Sequence, residues 1–151
     1  MIHGMEYVYN KKAKFNYEIL DTYEAGIELT GGEVKAIRAK KCSLEGSRVT
    51  VRGGEAFLLG ATIHPFQIAN TETTYNEVRN RRLLLNKKEL RALSHTEETQ
   101  GLTLIPISLY NKGRNIKIQI ATARGKKQFD KRETIKKRET DREIRREIKR
   151  R

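Results

Sequence analysis

The residues best suited to chemistry are scattered in this chain. His3, His64 and His95 lie far apart and form no metal-type spacing. His64 precedes Pro65 at the end of a strand-like run and reads as a loop residue. One cysteine, Cys42, excludes an internal disulfide and a cysteine-based zinc site. Glu24, Glu33 and Glu89 are the carboxylates that folding could bring together as a hydrolytic acid–base pair or metal cluster. Two of them have capping or barrel roles available instead. Gly125-Lys126 lacks both the upstream glycine and the following Ser/Thr of a phosphate loop. An RNA-processing hydrolase is therefore a weak rival, and the sequence leads us to expect no enzyme, no cofactor and no metal.

The chemistry the residue types do favour is neutralisation of phosphate. The chain has 151 residues, with 32 Lys+Arg against 19 Asp+Glu and a net charge of +13. Residues 124–151 hold 14 basic and 6 acidic residues, a net of +8, while residues 1–123 carry only +5. Such a balance points to a polyanion, and nucleic acid is the commonest one. An acidic membrane surface would want a broad apolar face beside the charge, which the terminus lacks. "NKKAKFNY" and "RNRRLLLNKKEL" interleave cations with apolar anchors, as an RNA-binding face does when phosphates are neutralised and bases stack on Tyr or Phe.

These residues need elements to hold them, and the alternation of the first 123 residues supplies strands. Phe15, Tyr17 and Ile19 alternate with polar neighbours, as do Ala25, Ile27 and Leu29, and Val49 and Val51. In "NIKIQIATAR", Ile116, Ile118 and Ile120 face one way and Lys117 and Gln119 the other. Gly53-Gly54 and Gly113 mark two hairpins. Two helices interrupt the strands, opened by Thr30 with Glu33 and by Asn86 with Glu89 at capping-box spacing. Val34, Ile37 and the stem of Arg38 share one side of the first; Leu90 and Leu93 share one side of the second. The expected fold is mainly β: a small OB-type β-barrel, closed or partly open, with two or three short helices. A half-open sheet with helices on one side is the alternative.

Two parts follow, a body over residues 1–124 and a basic tail over residues 125–151. After Asp130 the only aliphatic residues are Ile135, Ile144 and Ile148, too few to offset the ordering of the chain, so the free tail is expected to be disordered or a flickering helix. Glu133–Lys137, Asp141–Arg145 and Glu147–Arg151 are acid-before-base pairs at i, i+4, and no Gly or Pro follows Gly125. The tail is ready to become helical once a surface is offered to it. "MIHGMEYVYN" has no basic segment followed by an apolar run, so no signal peptide is expected, and "AFLLGATI" is too short to span a bilayer. A cytoplasmic location is the expectation.

"NKKAKFNYEI" (10–19), "EAGIELTGGEVKAIR" (24–38), "RLLLNKKEL" (82–90) and "IPISLYNKGRNIKIQIATARGKKQFDKR" (105–132) together resemble the SsrA-binding protein (SmpB) family. The similarity runs without obvious gaps from about residue 10 to residue 140. The resemblance implies an OB-type barrel that binds the tRNA-like domain of transfer-messenger RNA. It also implies entry into bacterial ribosomes stalled on messages without a stop codon. There the barrel stands in for a missing anticodon arm, and the tail becomes helical in the small-subunit decoding site and empty mRNA channel. Alanyl-tRNA synthetase and elongation factor Tu are implied partners through the RNA complex. The protein is expected to be a monomer that catalyses nothing. A structural ribosomal or ribosome-associated OB-fold protein is the alternative.

Carried over residue by residue, the resemblance assigns Asn10, Glu24, Leu85 and Lys117 to an RNA-binding surface, with Gly125, Lys126 and Lys127 matching the "GKK" exit from the barrel. Phe129, Asp130, Lys131 and Arg132 match the aromatic-DKR element of the decoding site. Lys117 suits phosphate contact on the outward face of a regular strand. Glu24, which phosphate repels, would accept hydrogen bonds from base or ribose or position a neighbouring lysine. For Leu85, a core role and an RNA-facing role weigh equally. Many relatives carry Asp-Pro ahead of an R-x-R stretch where this chain reads "NEVRNRR", so Arg79 and Arg81 are less secure as contacts. Phe129 stands where relatives have a ring with a polar group, leaving stacking alone.

Overall fold

The computed structural model describes residues 5–67, 74–126 and 128–150, and excludes the side chains at 128–131, 133–134 and 147–150. Among the described residues, nine strands and four helices follow one another. β1 (Glu6–Tyr9), α1 (Ala13–Asn16), β2 (Tyr17–Ile27) and α2 (Gly31–Arg38) come first. Then come β3 (Cys42–Ser43), β4 (Arg48–Arg52), β5 (Glu55–Leu59), β6 (Thr62–Ile63) and β7 (Arg81–Leu84). α3 (Lys87–Glu98), β8 (Leu102–Lys112), β9 (Asn115–Gly125) and α4 (Gln128–Arg150) complete the chain.

Seven strands form one antiparallel sheet in the order β1-β8-β9-β2-β7-β5-β4, while β3 pairs with β6. No ladder joins β1 to β4 among the described residues, but the sheet curls so that β4 approaches β8. Val49 from β4, Leu104 and Leu109 from β8, and Ile116, Ile118 and Ile120 from β9 share one core. The fold is thus mainly β, a rolled and partly open barrel. The alternation of β9 holds: Ile118 and Ile120 are fully buried, with Lys117 and Gln119 on the opposite face. Phe15 departs from its expected strand. It lies in α1, one turn opened where the amide of Ala13 donates to the carbonyl of Asn10, 3.1 Å.

Both hairpins form where glycine permits them. Gly53 and Gly54 join Arg52 to Glu55 with φ of 60° and 76°, the left-handed pair a I′ turn requires. β8 bulges between Pro106 and Ser108, where proline offers no amide to the ladder. Both capping boxes form as spaced, each hydroxyl or amide oxygen accepting from the amide three residues on while that residue's carboxylate accepts in return. Ile37 and Leu93 anchor their helices in the core, and Val34 and Leu90 pack at its margin. α3 shields the free edge of β4, since Val51 N–H donates to Glu97 Oε1 at 3.2 Å.

Beyond β9 the tail is one element. It forms helix α4, for which the acid-before-base pairs and the lack of Gly or Pro supply the local reason. Among its described side chains, Ile135 and Ile144 are exposed. α4 touches α1, where the Arg138 guanidinium lies 5.8 Å from the centre of the Phe15 ring.

Candidate nucleic-acid interface

Strand pairing decides which side chains share a face. Glu24 pairs with Gln119 and Gly26 with Lys117 across β2 and β9, while Tyr110 pairs with Lys117 across β8 and β9. Glu24, Lys117, Gln119, Tyr110 and Lys112 therefore lie on the outer face, opposite the isoleucine row. Glu24 Oε2 accepts from the Tyr110 hydroxyl at 2.6 Å, and Oε1 from Lys112 Nζ at 2.8 Å. The hydrogen bond from Lys112, then that from Tyr110, holds the Glu24 carboxyl below its ordinary value. Burial, followed by the Glu24 carboxylate, drives the Tyr110 phenol upward.

Beside this row is a groove of about 330 Å³, with Lys117, Arg38 and Arg114 around apolar Leu84, Leu29 and Val34. The Arg38 guanidinium donates to the Arg114 carbonyl at 3.1 Å, tying α2 to the β8–β9 turn. Leu84 is 47% exposed, and a Cβ on Gly26 would press it at 3.2 Å. A cationic rim over an apolar floor suits a polyanion with flat, weakly polar parts, which describes RNA.

The other sequence-derived residues lie elsewhere. Asn10 is almost fully buried, and its Nδ2 donates to the Pro106 carbonyl at 3.0 Å beside the bulge. Its side chain thus holds the turn between β1 and α1 to β8, with exposed Lys11 and Lys12 following in the same turn. Leu85 follows β7 and packs, half-buried, against the main core. Gly125 ends β9 exposed, eight residues from Lys117 and so roughly 26 Å along the strand. Lys126 N–H donates to the Asn16 carbonyl at 2.9 Å. Lys127 lies outside the described residues, as do the side chains of Phe129, Asp130 and Lys131. Arg132 is exposed on α4.

The carboxylates Glu24, Glu33 and Glu89 do not converge. Glu89 caps α3, and Glu33 lies in a buried cluster the sequence did not announce. Arg81 Nε reaches Glu33 Oε2 at 2.9 Å, Arg79 binds both oxygens, and the Tyr75 hydroxyl donates to Oε2 at 3.2 Å. Arg81 further donates to the carbonyls of Ala61, Arg79 and Glu77. Burial works to raise the Glu33 carboxyl, but hydrogen bonds from Arg79, the Thr30 amide and Arg81 outweigh it and hold it at about 2. Arg81 is wholly buried, which removes it from any contact surface; "NEVRNRR" supplies an internal anchor here. No group of three metal-ligating side chains occurs among the described residues.

The expected open stacking rings are also absent among the described side chains. Tyr7, Tyr9, Phe15, Tyr17, Tyr23, Phe57, Phe66 and Tyr75 are half-buried, and Tyr110 is buried. Among the described residues of the body, Met5, Leu20, Val78 and Leu84 are the exposed large apolar groups. Tyr110, Lys112, Arg38 and Arg114 are the residues beside Glu24 and Lys117 that sequence reasoning did not single out for this face. For Tyr110 and Lys112 the signal was available: they stand at i, i+2 in the same hairpin as Lys117.

A family model described as "SmpB protein" matches residues 7–150. The SsrA-binding protein of Gloeothece citriformis (strain PCC 7424) is 45% identical over 141 residues, covering 93% of this chain and 91% of its own. That of Elusimicrobium minutum (strain Pei191) is 48% identical over 140 residues, covering 93% and 88%. Among solved structures, a chain from "tmRNA-SmpB: a journey to the center of the bacterial ribosome" superimposes with a TM-score of 0.67 at 42% identity. The match covers 80% of this chain and 85% of that one.

Proposed function

The chain belongs to the SmpB protein family, and from that premise we propose that it binds the tRNA-like domain of transfer-messenger RNA and accompanies it to stalled ribosomes for trans-translation. The observation that carries this reading is the reach of the family match, which takes in body and tail together over residues 7–150. SsrA-binding relatives and a solved tmRNA–SmpB chain support the RNA and the ribosome as partners. The family is one of RNA-binding proteins, and no catalytic step belongs to the chain.

The division of labour follows the charge. The body, residues 1–124, presents Lys117, Glu24 and the adjoining groove to the RNA and takes the place of an anticodon arm. Leu85 supports that face from the core margin, and Asn10 fixes the position of α1 and its lysines. Gly125, Lys126 and Lys127 lead the chain off β9. Phe129, Asp130, Lys131 and Arg132 seat the tail in the decoding site, and the rest of α4 runs along the negatively charged mRNA channel. Alanyl-tRNA synthetase and elongation factor Tu join through the RNA. The protein acts as a monomer in the cytoplasm; no helix among the described residues is long and apolar enough to cross a membrane.

The test is to recover the tagged protein from a bacterial lysate at moderate salt and sequence the bound RNA. One enriched transfer-messenger RNA is the expected result. A spread of ribosomal RNA fragments, with stoichiometric recovery of one subunit, would overturn the reading in favour of a structural ribosomal protein.

A further inference from the structure

The outer face of β2, β9 and β8 poses an electrostatic puzzle. A carboxylate, Glu24, stands beside Lys117 on a face read as contacting phosphate, where its charge opposes binding. Both of its oxygens are already engaged, one by Tyr110 and one by Lys112. Glu24 on one side and Tyr110 and Lys112 on the other meet over the middle strand, since β9 lies between β2 and β8. The two outer strands are two strand spacings apart, ~9.6 Å. Tyr110 is 1% exposed, so its hydroxyl is a fixed internal donor that sets where the carboxylate sits. The Lys112 side chain is 58% exposed against 26% for Glu24, so the ammonium lies on the solvent side of the pair. An ammonium has three donors, and Glu24 takes one of them.

We infer that Glu24 is a positioning residue: anchored by Tyr110, it holds Lys112 beside Lys117 so that Lys112 is a phosphate-contacting residue of the RNA interface. The gain comes from order. A free lysine on a strand end loses rotamer freedom when it meets a phosphate, and a braced one has already lost it. The lost attraction is small, because the surface carboxylate is screened and partly neutralised by two cations. The inference rests on the reading of this face as RNA-binding, and it adds two residues to that face, Lys112 as a contact and Tyr110 as an anchor.

The test measures binding of the transcribed tRNA-like domain of transfer-messenger RNA, across a salt series, to the full chain and to Lys112→Met, Glu24→Gln and the double variant. Lys112→Met is expected to weaken binding about tenfold and to lower the slope of log affinity on log salt by about 0.9. Removing the acidic charge in Glu24→Gln would tighten binding if simple repulsion governed; the brace requires it to weaken binding instead. The double variant is expected to bind no more weakly than Lys112→Met alone. Additive losses, or tighter binding by Glu24→Gln, would overturn the inference while leaving RNA binding intact. A full chain that binds none of this RNA would overturn the functional reading as well. If Glu24→Gln fails to fold, Tyr110→Phe takes its place in the cycle. Its buried hydroxyl cannot reach RNA, so a loss coupled to Lys112 supports the brace, and an additive loss or none overturns it.

Discussion

Arg81 and Glu33 meet at 2.7 Å with side chains only 0% and 1% exposed, 48 residues apart in the chain. Arg81 comes from β7 and Glu33 from the first turn of α2, so the pair fixes the helix against the sheet. The same carboxylate closes the capping box of α2 through the Thr30 amide, 2.9 Å away. α2 in turn supplies Val34 and Arg38 to the groove. A buried pair of this kind adds little over a well-packed apolar pair, but removing Arg81 leaves Glu33 to Arg79, Tyr75 and the Thr30 amide and takes a donor from the carbonyls of Ala61, Arg79 and Glu77.

Arg81→Met is therefore expected to destabilise the fold by ~1–3 kcal/mol in urea titration. A loss below ~1 kcal/mol would show that Arg79 alone suffices to hold Glu33.

The same carboxylate governs acid stability. Its folded value lies near 2 against an ordinary 4.5, so the stability it contributes is complete above 4.5. It is lost as pH falls from there toward 2. Denaturation of the full chain and of Glu33→Gln is expected to differ at pH 6, with the gap narrowing steadily from pH 4.5 toward pH 2. A gap that stays constant through this window would assign acid lability to other groups.

Gly113 turns β8 into β9 with φ of 62°, next to Lys112 and opposite no atom that a Cβ would meet. Gly113→Ala should thus cost about 1 kcal/mol through backbone conformation alone. Thermal unfolding checks this, and an unchanged midpoint would mean the turn adapts freely.

Lys117→Met should weaken binding of the tRNA-like domain and lower the salt slope by about 0.9, with no change in thermal midpoint. An unchanged slope would remove Lys117 from the phosphate contacts.

Truncation after residue 130 should leave the body folded and its RNA affinity nearly intact, while abolishing activity on stalled ribosomes. The α4 residues so removed add little to the core: Ile135 and Ile144 are exposed. Equal loss of binding and ribosome activity would refute the separation of body from tail.

What the sequence determined by itself is the set of features whose cause lies within a few residues. The Ile116, Ile118 and Ile120 row, the Thr30–Glu33 and Asn86–Glu89 caps, the Gly53-Gly54 turn and the charge of the tail are local: each follows from side-chain period, a cap three residues long or a backbone only glycine adopts with ease. The motifs quoted at 10–19, 24–38, 82–90 and 105–132 carried the family. Tertiary structure decided what local pattern does not encode. Phe15 had the spacing of a strand residue, yet lies in α1 once Asn10 is pinned to Pro106. Glu33 read as a cap, but the pairing of β7 with β5 and β2 brings Arg81 onto it. Glu24 and Lys112, 88 residues apart, meet because β9 lies between their strands and the pleat sends both side chains outward. Burial and charge pairing depend on which strands become neighbours, and that choice is made by the whole core at once.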